Sequence, residues 1–269
     1  MSTKSPLSER SSYLTSYSPD LLHAISRDEN RQLLGLTAEL PFQGEDVWNA
    51  YELTWLDSNG KPQVAMAEMR VPAASPNIIE SKSMKLYLMS LYMTRYTEAD
   101  DVRTTIANDL SRFAGAAVTV LLTPLSASTG LSELPGVCID DNRVDCESTG
   151  VDPNLLACTD GGTVSEELHS HLLRSLCPVT DQPDVGSLLI RYKGRQIDPD
   201  SLLRYIVSFR NHNDFHESCV ERIFIDIKKQ CEPDALTVYA RYNRRGGIDI
   251  NPFRSDFESL APNLRLWRQ

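Results

Sequence analysis

The sequence predicts an α+β protein in which one unit, antiparallel strands with a pair of helices on one face, occurs twice. Three observations carry this. A displacement of 118 positions lays the middle of the 269-residue chain on its end without a gap. Asn59-Gly60 separates two strand-like runs, the mark of a hairpin turn. Residues 81–95 and 98–114 carry apolar side chains at the 3.6-residue spacing of helices.

In the first copy, "DVWNAYELTWLD" and "PQVAMAEMRV" are strands joined by "SNGK", the two helices follow, and "GAAVTVLLTP" returns as a β-branched strand. In the second, "SEELHSHLLRS" and "VGSLLIRYKG" are strands. A helix starts at Pro199 with Asp198 as its N-cap, another spans about 215–229, and "ALTVYARYN" is the next strand. Under the displacement Ser83 falls on Ser201, Tyr87 on Tyr205, Val102 on Val220 and Thr119-Val120 on Thr237-Val238. These matches divide the chain into a flexible lead-in (1–30), an N-terminal module (31–123), a Ser, Thr, Gly, Pro and Asp-rich linker (124–162) and a C-terminal module (163–269). Each sheet would have open edges and one face without helices, so at least a dimer is expected.

Composition excludes several classes. A net charge of −10 with no basic patch argues against direct nucleic-acid binding. No apolar run approaches the roughly 20 residues needed to span a bilayer. The polar N-terminus lacks the apolar centre of an export signal, which leads to a cytoplasmic expectation with reduced cysteines. The six cysteines contain no C-x-x-C pair. His169 and His171 share a strand face and could meet a cysteine at a metal, but two ordinary strand histidines are the plainer reading, and no metal is expected.

The copies diverge where chemistry could sit. The first has "PNIIESKSMKLY" before its helix pair and the second "RQIDPDSLLRY"; the second alone carries Cys177, His216 and Glu217. Cys177 lies in a polar turn with Asp181 and Asp184, and its context alone leaves nucleophile and buried structural thiol equally open. A site using all these residues must lie between the modules.

"ESKSMKLY" (80–87), "CPVTDQPD" (177–184), "FHESCVERI" (215–223) and "RRGGIDINPFRSD" (244–256), in that order, resemble the NADPH-dependent 7-cyano-7-deazaguanine reductases. These are the nitrile reductases of queuosine biosynthesis, in their longer two-module form. The resemblance runs from about residue 20 to the end and implies tandem tunnelling-fold (T-fold) modules. One departure is Val185, where the family pattern has an aromatic residue.

The resemblance implies a role for each residue. Cys177 adds to the nitrile carbon to form a thioimidate, and Asp184 donates the proton, for which burial must raise its carboxyl. Glu217, kept charged by the helix N-terminus, grips two parallel donors of the deazaguanine, although Asp214 and Glu217 also have capping-box spacing. His216, Ile79, Glu80 and Ser81 contact substrate. Ser81, Lys82, Arg245 and Gly246 contact NADPH. A homodimer acting on a free small-molecule base is implied. Two other readings remain: a GTP-cyclohydrolase-like zinc hydrolase, using Cys177 or Cys158 with His169 or His171, and a purine-binding module without catalysis.

Overall fold

The computed structural model describes residues 16–36, 39–127, 130–147 and 150–269. In the first module β1 (Ala24–Ser26) and α1 (Asp28–Leu33) lead into the long hairpin β2 (Gln43–Leu56) and β3 (Pro62–Pro72). Then come β4 (Asn77–Ile79), the helices α2 (Ser81–Ser90) and α3 (Ala99–Ala114), and β5 (Thr119–Thr123). A short β6 (Val137–Cys138) precedes the second module. That module comprises the hairpin β7 (Cys158–Leu176) and β8 (Pro183–Ile197), the helices α4 (Pro199–Ser208) and α5 (His216–Cys231), and the hairpin β9 (Ala235–Tyr242) and β10 (Ile248–Ser255).

Local chemistry accounts for the boundaries. The first hairpin closes through Gly60 at φ 84°, while the Asp57 carboxylate accepts the amides of Asn59 and Lys61. Asp198 caps α4 by accepting from Asp200 N at 3.1 Å, with Pro199 in the first turn. α2 stops at Ser90 instead of running to 95, because the chain turns out to pair Leu56 with Thr94 and Tyr96. The duplication survives in side-chain detail: Tyr87 donates to Asp109 and Tyr205 to Asp226, both at 2.7 Å. Ser90 and Ser208 each donate to the carbonyl of that tyrosine. The second helices, starting at Ala99 and His216, are one position short of the gapless register.

The two modules share one eight-stranded sheet, ordered β5-β3-β2-β10-β9-β8-β7-β6. β10 pairs antiparallel with β2 from Ile248↔Ala50 to Ser255↔Gln43, so the modules join edge to edge within the chain. Alternation on the strands feeds two cores under the helices: Trp48, Met69 and Tyr87 with Ile106 and Leu110 in the first module, Leu188, Ile190 and Val238 with Tyr205, Val220 and Phe224 in the second. The α+β class with paired helices on one face is as expected.

Three expectations are corrected. Part of the lead-in is anchored: Leu22 and Arg27 are buried, and Arg27 pairs with Asp46 at 2.5 Å; residues 1–15 lie outside the described residues. The linker is not free over 124–162, since Leu134, Ile139 and Leu156 are buried and β7 begins at Cys158. The helix-free face is not bare at its centre. Val47, Leu189, Tyr239 and Phe253 are covered by Leu134, Ala261 and Leu266 from the chain's own linker and C-terminus. There Gln269 accepts from the fully buried Arg241 and donates to Asn251 Oδ1.

Where the modules meet on the helix side, Arg254 pairs with Asp46 and Glu221 at 2.9 Å each, and Arg31 with Glu221 at 2.8 Å. Every member is buried, so removing one strands its partners without water. Glu221→Gln is expected to cost about 3–5 kcal/mol in urea unfolding; a cost within ~0.5 kcal/mol, the range of a surface change, would mean that the network carries no such load. Among the described residues no helix is long and apolar enough to cross a membrane.

Candidate functional site

Both modules contribute to an open pocket of about 570 Å³. Ile79, Glu80, Ser81 and Lys85 come from β4 and α2, Cys177 from the turn between β7 and β8, and Asp184 from the start of β8. Phe215, His216 and Glu217 come from the start of α5, and Asn243 and Arg245 from the β9–β10 turn. The pocket lies where the two modules meet and is lined by residues of both.

The Cys177 turn is tightly closed. Cys177 N donates to Gln182 O at 3.0 Å and Asp181 N to Cys177 O at 2.9 Å, with Asp181 at φ 55°. Asp181 Oδ1 accepts from Asn213 Nδ2, so this aspartate holds the turn and leaves Asp184 to face the pocket. Cys177 itself is half-buried.

Asp184 is 3% exposed and meets two basic side chains. His216 Nε2 lies 3.2 Å from Oδ2, and Arg245 Nη1 donates to Oδ1. His216 is fixed from behind by stacking on Tyr242, with centroids 3.7 Å apart and planes 4° from parallel. Its Nδ1 is buried without a hydrogen-bond partner among the described residues. The expectation that burial raises the Asp184 carboxyl is corrected here. Burial pushes it up, but the hydrogen bonds and charges of His216 and Arg245 outweigh burial and hold it below the ordinary carboxylate range.

Glu217 behaves oppositely. It is 3% exposed, and burial, reinforced by the Asp46 carboxylate, pushes it up to about 8 despite Arg27 and Arg254. The helix N-terminus does not keep it charged at neutral pH in the free protein. The capping box does not form either: α5 begins at His216 after Phe215, and Asp214 accepts from Phe215 N instead. Between about 4.5 and 8 the folded protein therefore holds a proton that the unfolded chain has released. Its contribution to stability is full below that window and is lost as pH rises through it. Glu217→Gln is expected to flatten this decline, read as Tm against pH from 5 to 8; an unchanged slope would mean that Glu217 titrates normally.

Comparison with known proteins identifies the lineage. The family described as "Nitrile reductase, 7-cyano-7-deazaguanine-reductase N-term" matches residues 13–122, and "QueF-like protein" matches residues 183–259. The NADPH-dependent 7-cyano-7-deazaguanine reductase of Dechloromonas aromatica (strain RCB) is 52% identical over 98% of this chain and 95% of its own. This chain belongs to the NADPH-dependent 7-cyano-7-deazaguanine reductase family. A solved structure, the archaeosine synthase QueF-Like in the apo form, matches 39% of this chain and 100% of its own at 15% identity. Its TM-score of 0.32 is too low to bear on fold or function.

A reductase of this family needs a place for NADPH phosphates, and the charges beside the pocket fit one. Lys85 is lowered by burial and then by the nearby Arg245, and an anion between the two would relieve both costs. Gly246 and Gly247, at φ 60° and 84°, form the tight turn that carries Arg245. They line a second hollow of about 270 Å³, which shares Lys85 and Ile248 with the first. A Cβ on Gly246 would sit 3.2 Å from Lys85 Cδ, so glycine permits the approach.

The remaining named residues are less central. Glu80 caps α2, accepting from Lys82 N and Ser83 N at 2.8 and 2.7 Å, and still lines the pocket. Lys82 is exposed and lines neither hollow; Lys85, one turn on, does. Val185 is on the opposite side of β8 from Asp184 and does not line the pocket. Sequence reasoning missed Asn243, which accepts from Val185 N, and the buried Asp249, which accepts from Asn49 and Tyr51. Both lie in or beside the quoted "RRGGIDINPFRSD", whose polar residues within strand sequence were the available signal. The zinc-hydrolase alternative is also corrected: the thiol grouped with His169 and His171 is Cys138, not Cys177 or Cys158.

Proposed function

We propose that this chain reduces the nitrile of 7-cyano-7-deazaguanine to the aminomethyl group of 7-aminomethyl-7-deazaguanine, in queuosine biosynthesis, through a thioimidate on Cys177. The observation that carries the reading is the convergence of Cys177, the Asp184–His216 pair and Glu217 on one pocket. The overall balance is R–C≡N + 2 NADPH + 2 H⁺ → R–CH₂–NH₂ + 2 NADP⁺, and NADPH supplies both hydrides.

Each residue then has a task. Cys177 sulfur bonds the nitrile carbon as its S–H bond and one C–N π bond open, and the thiol proton reaches the nitrogen by way of the Asp184–His216 pair. The depressed Asp184 carboxyl makes this a shared proton, refilled through His216 Nε2. Arg245 adjusts the same carboxyl, so an anion that drew Arg245 away would let Asp184 hold its proton to higher pH. Glu217 ionises on meeting the ring N–H and exocyclic amine, which replace its lost water. Ile79, Glu80, Ser81 and His216 complete the substrate wall. Lys82, Lys85, Arg245 and Gly246 form the cofactor side together with Ser81.

The same reading makes the protein a cytoplasmic homodimer with no direct nucleic-acid contact. β5 is a free edge with Leu121 exposed, and β6 covers only two residues of β7. Incubation with the nitrile and NADPH is expected to consume two NADPH per aminomethyl product. One per product, or none, would overturn the four-electron reduction.

A further inference from the structure

The geometry points to a zinc site, unconnected with catalysis, formed by Cys138, His169 and His171 on the helix-free face of the sheet. The backbone builds it from short-range rules. β6 pairs parallel with β7 and places Cys138 directly opposite His169. His171 lies two residues along the same strand, where β7 carries a register shift between Ser170 and Leu173. Opposite and i+2 positions point to the same face of a sheet. His169 pairs with Leu189, whose side chain belongs to the cluster on the side away from the helices.

One ligand atom from each of the three residues falls within 4.8 Å of the other two. The two imidazole centroids are 5.3 Å apart at an interplanar angle of 63°. Two imidazoles bound to one tetrahedral zinc through bonds of about 2.0–2.1 Å would have centroids about 5 Å apart. The rings already stand at that spacing.

The outer contacts select the correct nitrogens. His169 Nδ1 lies 2.9 Å from Pro135 O; a carbonyl only accepts, so Nδ1 carries the hydrogen and Nε2 the lone pair. His171 Nδ1 contacts Ser187 Oγ at 2.8 Å, which leaves its Nε2 free as well. Asp140 accepts from Ser170 Oγ and His171 N, and its negative charge offsets Arg268, which donates to His171 O.

A thiolate with two imidazoles suits zinc and excludes magnesium or calcium, which take oxygen ligands. Binding replaces the Cys138 S–H bond with a metal–sulfur bond and releases the proton to solvent. The fourth position opens to a cavity of about 1130 Å³ beside Glu133 and Trp267 and is taken by water. The bond would fasten the linker strand β6 to β7. The site shares no residue with the Cys177 pocket, so a metal here does not imply the hydrolase reading.

The test uses the full chain, stripped with a chelator and titrated with cobalt(II), then with zinc. One equivalent of cobalt should give a thiolate charge-transfer band, retained in Cys177→Ala and lost in Cys138→Ser. His169→Gln should weaken binding by more than the ~10–100-fold that loss of an outer contact costs. Zinc should displace cobalt and raise the Tm of the wild type but not of Cys138→Ser. NADPH-linked turnover should be unaffected by chelation. The proposal is overturned by a wild-type protein with no thiolate–cobalt band, by a band that survives Cys138→Ser, or by a band lost instead in Cys177→Ala.

Discussion

Cys177→Ala is expected to lower turnover by at least ~10³-fold while leaving the fold intact. The side chain lies in a turn closed by backbone bonds from Cys177 to Gln182 and Asp181, and alanine preserves all of them. What it removes is the only thiol among the described residues that line the pocket. Nitriles accept hydride poorly, and without a sulfur bond the carbon stays in that state. Intact-protein mass after incubation with the nitrile, without NADPH, separates the cases. Wild type should gain the full mass of the substrate and the variant should gain nothing. An adduct on both proteins would place the covalent step elsewhere, and a variant that turns over normally would remove it altogether.

Asp184→Asn is expected to slow turnover about 10²–10⁴-fold, the range for loss of a positioned proton donor. Asparagine keeps the size and one acceptor for Arg245 or His216, so the pocket should persist. It cannot pass on a proton, and the negative charge that holds His216 and Arg245 together disappears. Adduct formation at Cys177 should slow by a similar factor, because sulfur addition leaves charge on nitrogen that must be neutralised. Rapid-mixing measurement of the adduct gives the readout. If Asp184→Asn forms the adduct at the wild-type rate and fails only on adding NADPH, the carboxyl serves hydride transfer instead.

Much of the fold was legible because local chemistry sets it. Asp198-Pro199, Asn59-Gly60 and the alternating strands each select a structure within a few residues. The doubled Tyr–Asp and Ser–Tyr contacts show why the repeat was detectable: identical side chains do identical work in both modules, the tyrosines and serines 118 positions apart and the aspartates 117. The closure of the helix-free face was not legible. Leu134 and Leu266 are unremarkable in sequence and acquire meaning only when they meet Val47 and Phe253. Cys138 was unreadable for the same reason: a two-residue parallel strand has no periodicity, and its partner His169 is 31 positions away.

The sequence by itself determined the α+β class, the two-copy organisation, the family and many of the residues that line the pocket, though not Asn243 or Asp249. Each depends on side-chain identity or on spacing along the chain. Only the tertiary structure decided that the two sheets are one, that residues of both modules line one pocket, and in which direction burial and neighbours move its carboxylates. Asp184 and Glu217 are both buried acids at one pocket, yet the contacts of His216 and Arg245 outweigh burial and lower the first, while burial, reinforced by the Asp46 carboxylate, raises the second. Charge state follows from distances between residues far apart in sequence, and those distances exist only after the modules have joined along β10 and β2.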